Sequence, residues 1–315
     1  MKRIGLVIVL LLLFFVSMFI GTHDFTLSGL LEGNPTQWFL LRKTRLPRNI
    51  ALVLAGGMIS ISGKTMQHFM QNKFVSPSTI GMMDSAKLGI LFVMIFMPNH
   101  SILARSFVAF LFAYLGVILF LRLSKVLPKG DQMILPLTGI MFGNILGAVA
   151  SFFAYQFQLV QNISSWLQGN FATVMEGSYE LIYLTIPIFI LLYVFAYQIT
   201  IAGLGETAAT SLGINYQLLQ RIIFGLVALG SSSVLLMVGT IPFLGVVVPN
   251  IVSLIYGDHL KNNLFPTVLF GSSFLLFCDI LSRVLIAPYE IPISVVAGVI
   301  GGILFLYFLI RRRTG

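Results

Sequence analysis

Hydrophobic residues run along this chain in long unbroken stretches, Ile4–Ile20 and Leu181–Tyr197 being the clearest, and polar residues gather between them. About 20 consecutive apolar residues make a helix long enough to cross a bilayer, whereas the strands of a membrane barrel show short alternating segments. The pattern predicts about ten crossings, near residues 4–21, 47–66, 81–97, 102–123, 134–157, 179–200, 221–239, 244–257, 264–285 and 291–310. Several are short or interrupted by Gly and Pro, and the eighth, around Gly245 and Pro249, carries the weakest signal. The connections near 22–46, 158–178 and 201–220 are too short for a soluble domain and read as loops. The expected fold class is all-α, a polytopic transmembrane helical bundle forming one domain over residues 1–315.

Composition supports this pattern. Hydrophobic residues make up 57% of the chain and charged residues 9%, against about 25% charged in a soluble domain. A water-soluble fold needs a polar exterior that this chain cannot supply. In lipid, every backbone N–H and C=O must be paired internally, which long helices achieve.

Charge sets the expected orientation. The net charge is +9, from 19 Lys and Arg against 10 Asp and Glu. The tendency of basic residues to stay in the cytoplasm accounts for the excess, so no nucleic-acid partner is needed. Lys2 and Arg3 at one end and Arg311, Arg312 and Arg313 at the other place both termini in the cytoplasm, as an even number of crossings requires. Threading from there puts Lys64, Lys73, Lys87, Arg122, Lys125, Lys129, Arg221 and Lys261 at or near the cytoplasmic face. Met1-Lys2-Arg3 and its apolar run look like a signal peptide, but no small-x-small site follows, so the run reads as an uncleaved first span. Arg42, Lys43, Arg45, Arg48, Arg105 and Arg283 fall on the outer side. Four of these crowd together between Arg42 and Arg48, either anchoring the second span to headgroups or forming a collar for an acidic partner.

Candidate chemistry is sparse. Ser62-Gly63-Lys64-Thr65 resembles the end of a phosphate-binding loop, but the first glycine is displaced to Gly57 and the segment ends an apolar span, so nucleotide binding is rejected. His23, His68, His100 and His259 are scattered without metal-ligand spacing, so no metal or other cofactor is expected. The single cysteine, Cys278, allows no internal disulfide. Asp279 is the clearest intramembrane carboxylate, and Arg283, four residues on, shares its helix face and reads as its partner. Asp84 sits near a helix start, where a carboxylate caps the N-terminus. Gly139, Gly143 and Gly147 form a smooth stripe on the fifth span with Asn144 beside it, suited to close helix packing, to a pore lining or to a subunit interface. Gly298, Gly301 and Gly302 in the last span read as packing residues. The connector Gly203–Asn215 is less apolar than its flanks; Glu206 opens a run of helix formers and Gly213 closes it. It reads as a capped connector helix or as a short helix that receives force from a soluble motor.

Taken in order, a set of segments resembles the FecCD family of ABC importer permeases, which carry iron–siderophore complexes, haem or cobalamin. They are Arg45-Leu-Pro-Arg48, Ser62-Gly63 with Gln67, Asn72-Lys-Phe-Val-Ser-Pro77 with Gly81, and Ser165-Trp-Leu-Gln-Gly169. Gly205-Glu206 with Leu212-Gly213, Gly239-Thr-Ile-Pro-Phe-Leu-Gly245 with Val248-Pro-Asn250, Gly257-Asp258-His259, Asp279 with Arg283, and Glu290-Ile-Pro292 follow. The resemblance implies a permease of about ten helices in a bacterial inner membrane, not an enzyme. It would work with cytoplasmic ABC ATPase subunits, an extracytoplasmic siderophore-binding protein and a second, different permease. It implies that Arg45, Arg48 and Arg283 receive the binding protein. Glu206, Thr207, Ala208, Ala209, Leu212, Gly213 and Asn215 would seat on the ATPase. Gly139, Gly143, Asn144 and Gly147 would line the path or the subunit interface. Members often have Pro-His where this chain has Pro249-Asn250, and Asn-Pro-Leu where it has Asn72-Lys73-Phe74. These departures, with Ser165-Trp-Leu-Gln-Gly169, resemble the subgroup serving catecholate siderophores such as petrobactin, anguibactin or vibriobactin. The competing expectation is an ion-coupled secondary transporter of a small organic or metal-chelate solute.

Overall fold

The computed structural model describes residues 2–21, 25–97, 101–126, 134–177 and 179–313. His23, His100 and Lys129, named above, lie outside these ranges. The described residues are built from helices: α1 (Lys2–Phe19), α2 (Leu27–Leu31), α3 (Pro35–Leu40), α4 (Leu46–Phe69) and α5 (Met82–Phe96). Then come α6 (Ile102–Ser124), α7 (Ile134–Gln156), α8 (Val160–Leu167), α9 (Thr185–Val194) and α10 (Ala196–Ala202). The chain continues with α11 (Glu206–Ser211), α12 (Tyr216–Val238), α13 (Leu244–Tyr256), α14 (Leu260–Val284) and α15 (Ile293–Arg313). A π-helical turn, Leu41–Arg45, joins α3 to α4. The strand-like pairing among the described residues is one isolated bridge between Gln168 and Thr240.

The all-α expectation holds, with corrections to its details. Among the described residues five helices are long and apolar enough to cross a membrane, and a sixth forms if the pair Glu180–Val194 and Ala196–Ala202, bent by 59°, counts as one span. Helices α5 and α13 fall short: 15 and 13 residues rise about 22 and 20 Å, less than the ~30 Å hydrocarbon core. Each begins inside the bundle, after irregular backbone over 72–81 and 239–243. Two connections expected to be loops instead carry short helices, α2 and α3 in one and α8 in the other.

Helix α4 is the hub. It packs most extensively on α14 and also contacts α12 and α13. Small residues permit this: Gly56 lies against the Gly271 backbone, Gly63 lies against Gly245, and Ser60, Ser62, Ser231, Ser232 and Ser272 are all buried. Apolar side chains gain little by leaving lipid for one another, so close backbone approach and hydrogen bonds such as Ser272 Oγ to Val53 O at 2.6 Å hold the helices. The outer faces of α6 and α7 remain apolar and exposed, with Leu103, Phe107, Met141 and Phe152 each more than half exposed. An exposed apolar surface of this kind suits contact with lipid or with another membrane-embedded subunit.

The ends of the bundle differ in character. At one, which we call the arginine end, the end of α1, the start of α4, the end of α14 and the start of α15 converge through Arg48, Asp279, Arg283 and Glu290. At the opposite end α4 meets α10, where His68 contacts Thr200 O at 3.3 Å and Gln71 donates to Gly203 O.

Candidate functional site

The arginine end is a largely buried ionic knot. Arg48 Nη2 lies 2.8 Å from Asp279 Oδ1 and 2.9 Å from Glu290 Oε2. Asp279 Oδ2 takes the guanidinium of Arg283, so the expected pair on one helix exists, and Arg48 joins it from α4. Arg283 also donates to Ser17 O at 3.0 Å and to Ser17 Oγ at 2.5 Å, pinning the end of α1. Ser17 in turn bonds Asn49 Oδ1 at 2.8 Å, and Asn49 donates to Phe14 O at 2.9 Å. Arg45 donates to Ile20 O and lies 5.9 Å from the Phe25 ring centroid. Asp279 is fully buried, and Arg283 and Arg45 are 6% and 8% exposed. Three guanidiniums against the carboxylates of Asp279 and Glu290 leave a surplus of one positive charge. Arg42 and Lys43 are far more accessible cations at this end and flank Glu176 at 3.9 and 3.3 Å.

The opposite end carries the connector. α11 spans Glu206–Ser211, between Gly205 at φ +106° and Gly213 at φ +80°. Glu206, Thr207, Leu212, Gly213 and Asn215 are exposed, Ala208 is half-buried, and Ala209 anchors the helix beneath. Asn215 caps α12 by accepting from Leu218 N at 3.0 Å. Leu204, Leu212 and Leu218 are each more than half exposed here, an apolar set amid polar neighbours. A concavity of about 480 Å³ opens between Glu206 and Tyr216. Nearby, Lys73 pairs with Asp258 at 3.0 Å and Asn250 donates to Lys73 O at 2.9 Å. Burial pushes the Asp258 carboxyl up, but the hydrogen bond and charge of Lys73, with help from Ser253 and Lys64, hold it below the usual carboxylate range. Lys64, from the rejected phosphate-loop motif, sits within α4 and donates to Ser253 Oγ at 2.6 Å.

Between the ends lies a cavity of about 760 Å³. One wall is the irregular stretch Ser76–Thr79 with the start of α5; the facing wall is Thr240–Phe243 with Ser294 and Phe305 of α15; Pro136, Leu137 and Ile140 of α7 close a side. Irregular backbone at membrane depth is tolerated where it is covered by protein or lines a cavity, and both unwound stretches do the latter. A second cavity of about 320 Å³ lies toward Lys73, Asn250 and Leu254. Phe74 and Phe305 line both cavities and meet edge-on, ring centroids 6.0 Å apart, so this aromatic contact stands between them.

The glycine stripe divides along its length. A Cβ on Gly139 would lie 2.1 Å from Thr79 O, and one on Gly143 would lie 2.7 Å from Asp84 Oδ2, so both glycines seat α7 against the chain leading into α5. Gly147 has open space around it and Asn144 is exposed. Gly301 and Gly298 pack on Phe243 and Pro242, as their expected packing role requires. Two charged residues depart from expectation. Asp84 lies in the first turn of α5 as expected but makes no capping hydrogen bond; it bonds Lys87 Nζ at 2.9 Å and faces the cavity. Lys87, placed by sequence near the cytoplasmic face, lies at mid-height instead, because α5 starts beside Gly143 at the middle of α7. Sequence reasoning missed the cavity and the Phe74–Phe305 contact; the signal available was the polar, proline-containing run between spans two and three.

Comparison with known proteins agrees with this arrangement. The family model described as the FecCD transport family matches residues 9–311. The petrobactin import system permease protein YclN of Bacillus subtilis is 45% identical over 99% of both chains. The ferric-anguibactin transport system permease protein FatD of Vibrio anguillarum is 39% identical over 94% of both. A solved metal-chelate type ABC transporter in an inward-facing conformation shares the fold, with a TM-score of 0.84 at 23% identity over 98% of this chain and 99% of that one. Matched along nearly all its length by the family model and by these relatives, the chain belongs to the FecCD transport family.

Proposed function

We propose that this chain is the membrane-spanning permease subunit of an ATP-binding-cassette importer that brings ferric siderophores of the petrobactin and anguibactin kind into a bacterial cell through its inner membrane. The observation that carries the reading is the 45% identity to a petrobactin import permease across 99% of both chains. The walled cavity at mid-height supports it, since a bulky chelate needs such a space. The bundle acts as a single domain of ten crossings, the short α5 and α13 being completed by the irregular stretches before them, and both termini lie in the cytoplasm. ATP hydrolysis belongs to a separate subunit. A strain lacking this chain should lose uptake of radio-iron-labelled ferric petrobactin and regain it on complementation. Uptake that persists without any ATPase partner and collapses with an ionophore would instead identify an ion-coupled carrier.

The α11 end is the seat for the ATPase, through Glu206, Thr207, Ala208, Ala209, Leu212, Gly213 and Asn215. Burying one leucine side chain contributes about 1.5–3 kcal/mol. Leu212→Glu is therefore expected to weaken ATPase association at least about tenfold while the permease inserts normally. Co-purification and ATPase titration would check this, and undiminished association would remove α11 from the contact.

The arginine end receives the siderophore-binding protein. The surplus positive charge of Arg45, Arg48 and Arg283 lies beneath the surface, Arg48 reaches it with 13% of its side chain, and Arg42 and Lys43 form the exposed rim. Rim charges act mainly on encounter. Arg42→Glu with Lys43→Glu is expected to slow docking about tenfold at low salt, and salt should shrink the difference. Surface plasmon resonance against the binding protein would read both effects. Asn144 and Gly147, open on α7, face the second permease of a heterodimer, while Gly139 and Gly143 shape the wall beside the path. Alternating access requires Phe74 and Phe305 to part.

A further inference from the structure

We propose that Lys87, held by Asp84, is a contact point for the anionic oxygens of the ferric chelate as it crosses the middle of the bundle. The inference rests on the reading of this chain as a ferric-siderophore permease and assigns a specificity element inside its cavity. Asp84 and Lys87 are the charged residues in a lining otherwise made of apolar and hydroxyl side chains. Their depth follows from α7: Asp84 Oδ2 abuts Gly143, nine residues beyond Ile134 in a 23-residue helix, about 14 Å along a helix about 35 Å long. Ionisable side chains at that depth are costly and mark substrate pathways.

A purely structural pair is the competing account. Mutual neutralisation explains how the two charges are tolerated, with Nζ and Oδ1 2.9 Å apart. It does not explain their presence, since an apolar pair of similar volume is often as stable or more so. Nor does it explain why both stay partly open, Lys87 with 26% and Asp84 with 23% of the side chain exposed. An ammonium carries three donors, so the bond to Asp84 leaves capacity for another acceptor. The N-terminal turn of α5 lies alongside, preceded by Gly81 at φ +74°, and its dipole also favours negative charge. The Ser78 and Thr79 hydroxyls stand in the same wall.

The cargo chemistry matches. Catecholate oxygens bring more negative charge than the ferric ion cancels, so such a chelate meets Lys87 as an anion. Asp84 pairs with Lys87 and competes with the chelate for it. The pair has no net charge, so the chelate is met by a donor but not trapped by a bare cation, as passage through a pore demands.

The test uses the complete importer in proteoliposomes with saturating binding protein loaded with labelled ferric petrobactin, reading chelate transported per ATP hydrolysed. A charge-assisted contact of this kind sets the expected scale: Lys87→Met should lower the ratio about tenfold with stimulated ATPase activity unchanged. Lys87→Arg should stay near the wild-type ratio. Asp84→Asn, which exposes the full charge of Lys87, should lower the maximal rate by slowing release. The double variant Asp84→Asn, Lys87→Met should transport as poorly as Lys87→Met. Wild-type transport by the double variant would show the pair to be structural and overturn the proposal, as would an unchanged ratio in Lys87→Met. If Lys87→Met fails to insert, Asp84→Asn decides, and a wild-type rate there overturns the proposal. Absence of chelate uptake by the wild-type complex would sink the functional reading itself, a result distinct from either.

Discussion

Replacing Asp279 with alanine is expected to destabilise the permease by about 3–5 kcal/mol and to remove it from the membrane or leave it inactive. The carboxylate is fully buried and serves two guanidiniums at once, Arg48 from α4 and Arg283 from its own helix. Its loss leaves Arg283, itself 6% exposed, holding Ser17 without a counter-charge. An unpaired buried cation costs more than the intact pair ever contributed, because the desolvation remains and the attraction does not. Asp279→Asn keeps an acceptor and should cost less. Arg48→Gln should cost less again, since Asp279 keeps Arg283 as its partner and Glu290, with 23% of its side chain exposed, has access to solvent. Thermal unfolding of the purified permease in detergent would rank the three. Equal midpoints for Asp279→Ala and wild type would show that the knot holds nothing together.

The second large effect is expected at Gly63. A Cβ there would lie 1.8 Å from the Gly245 carbonyl oxygen, 2.6 Å from its carbon and 2.8 Å from its Cα. All are backbone atoms, so no rotamer change relieves the clash and α4 and α13 must separate. Overpacking against yielding side chains costs about 1–3 kcal/mol; here Gly63→Leu should cost at least the upper end. The damage reaches the cavity, because Gly245 and Val246 belong to its wall. Uptake should therefore fall even in any variant molecules that insert. Gly147→Leu, on a helix face with nothing within 4 Å, supplies the contrast and should leave folding intact. Normal membrane levels and uptake for Gly63→Leu would mean that the α4–α13 crossing is looser than the structure places it.

These two residues also show how far the chain could be read before its fold was known. The Asp279–Arg283 pair was legible because helical residues four apart share a face. Arg48 as third member was not legible, since it stands 231 positions from Asp279 and only the packing of α4 on α14 joins them. Gly63 was visible in a rejected nucleotide motif and in one of the segments carrying the family resemblance, but its use, contact between the backbones of α4 and α13, was not legible. The connector helix after Glu206 was visible in its helix formers and bracketing glycines; the exposed leucines around it gain meaning only once they share one end of the bundle.

By itself, the sequence determined that this is a membrane protein, that it is helical, and which family it resembles. Those conclusions need only local information: the length of apolar runs, the spacing of basic residues, and the order of short motifs. Tertiary structure decided where helices start inside the bundle, which arginines are buried rather than displayed, and that Asp84 and Lys87 face a cavity at mid-height. Such facts depend on contacts between distant segments. In lipid these are set by close fit and polar pairing rather than by hydrophobicity, and the hydrophobic pattern therefore carries no record of them.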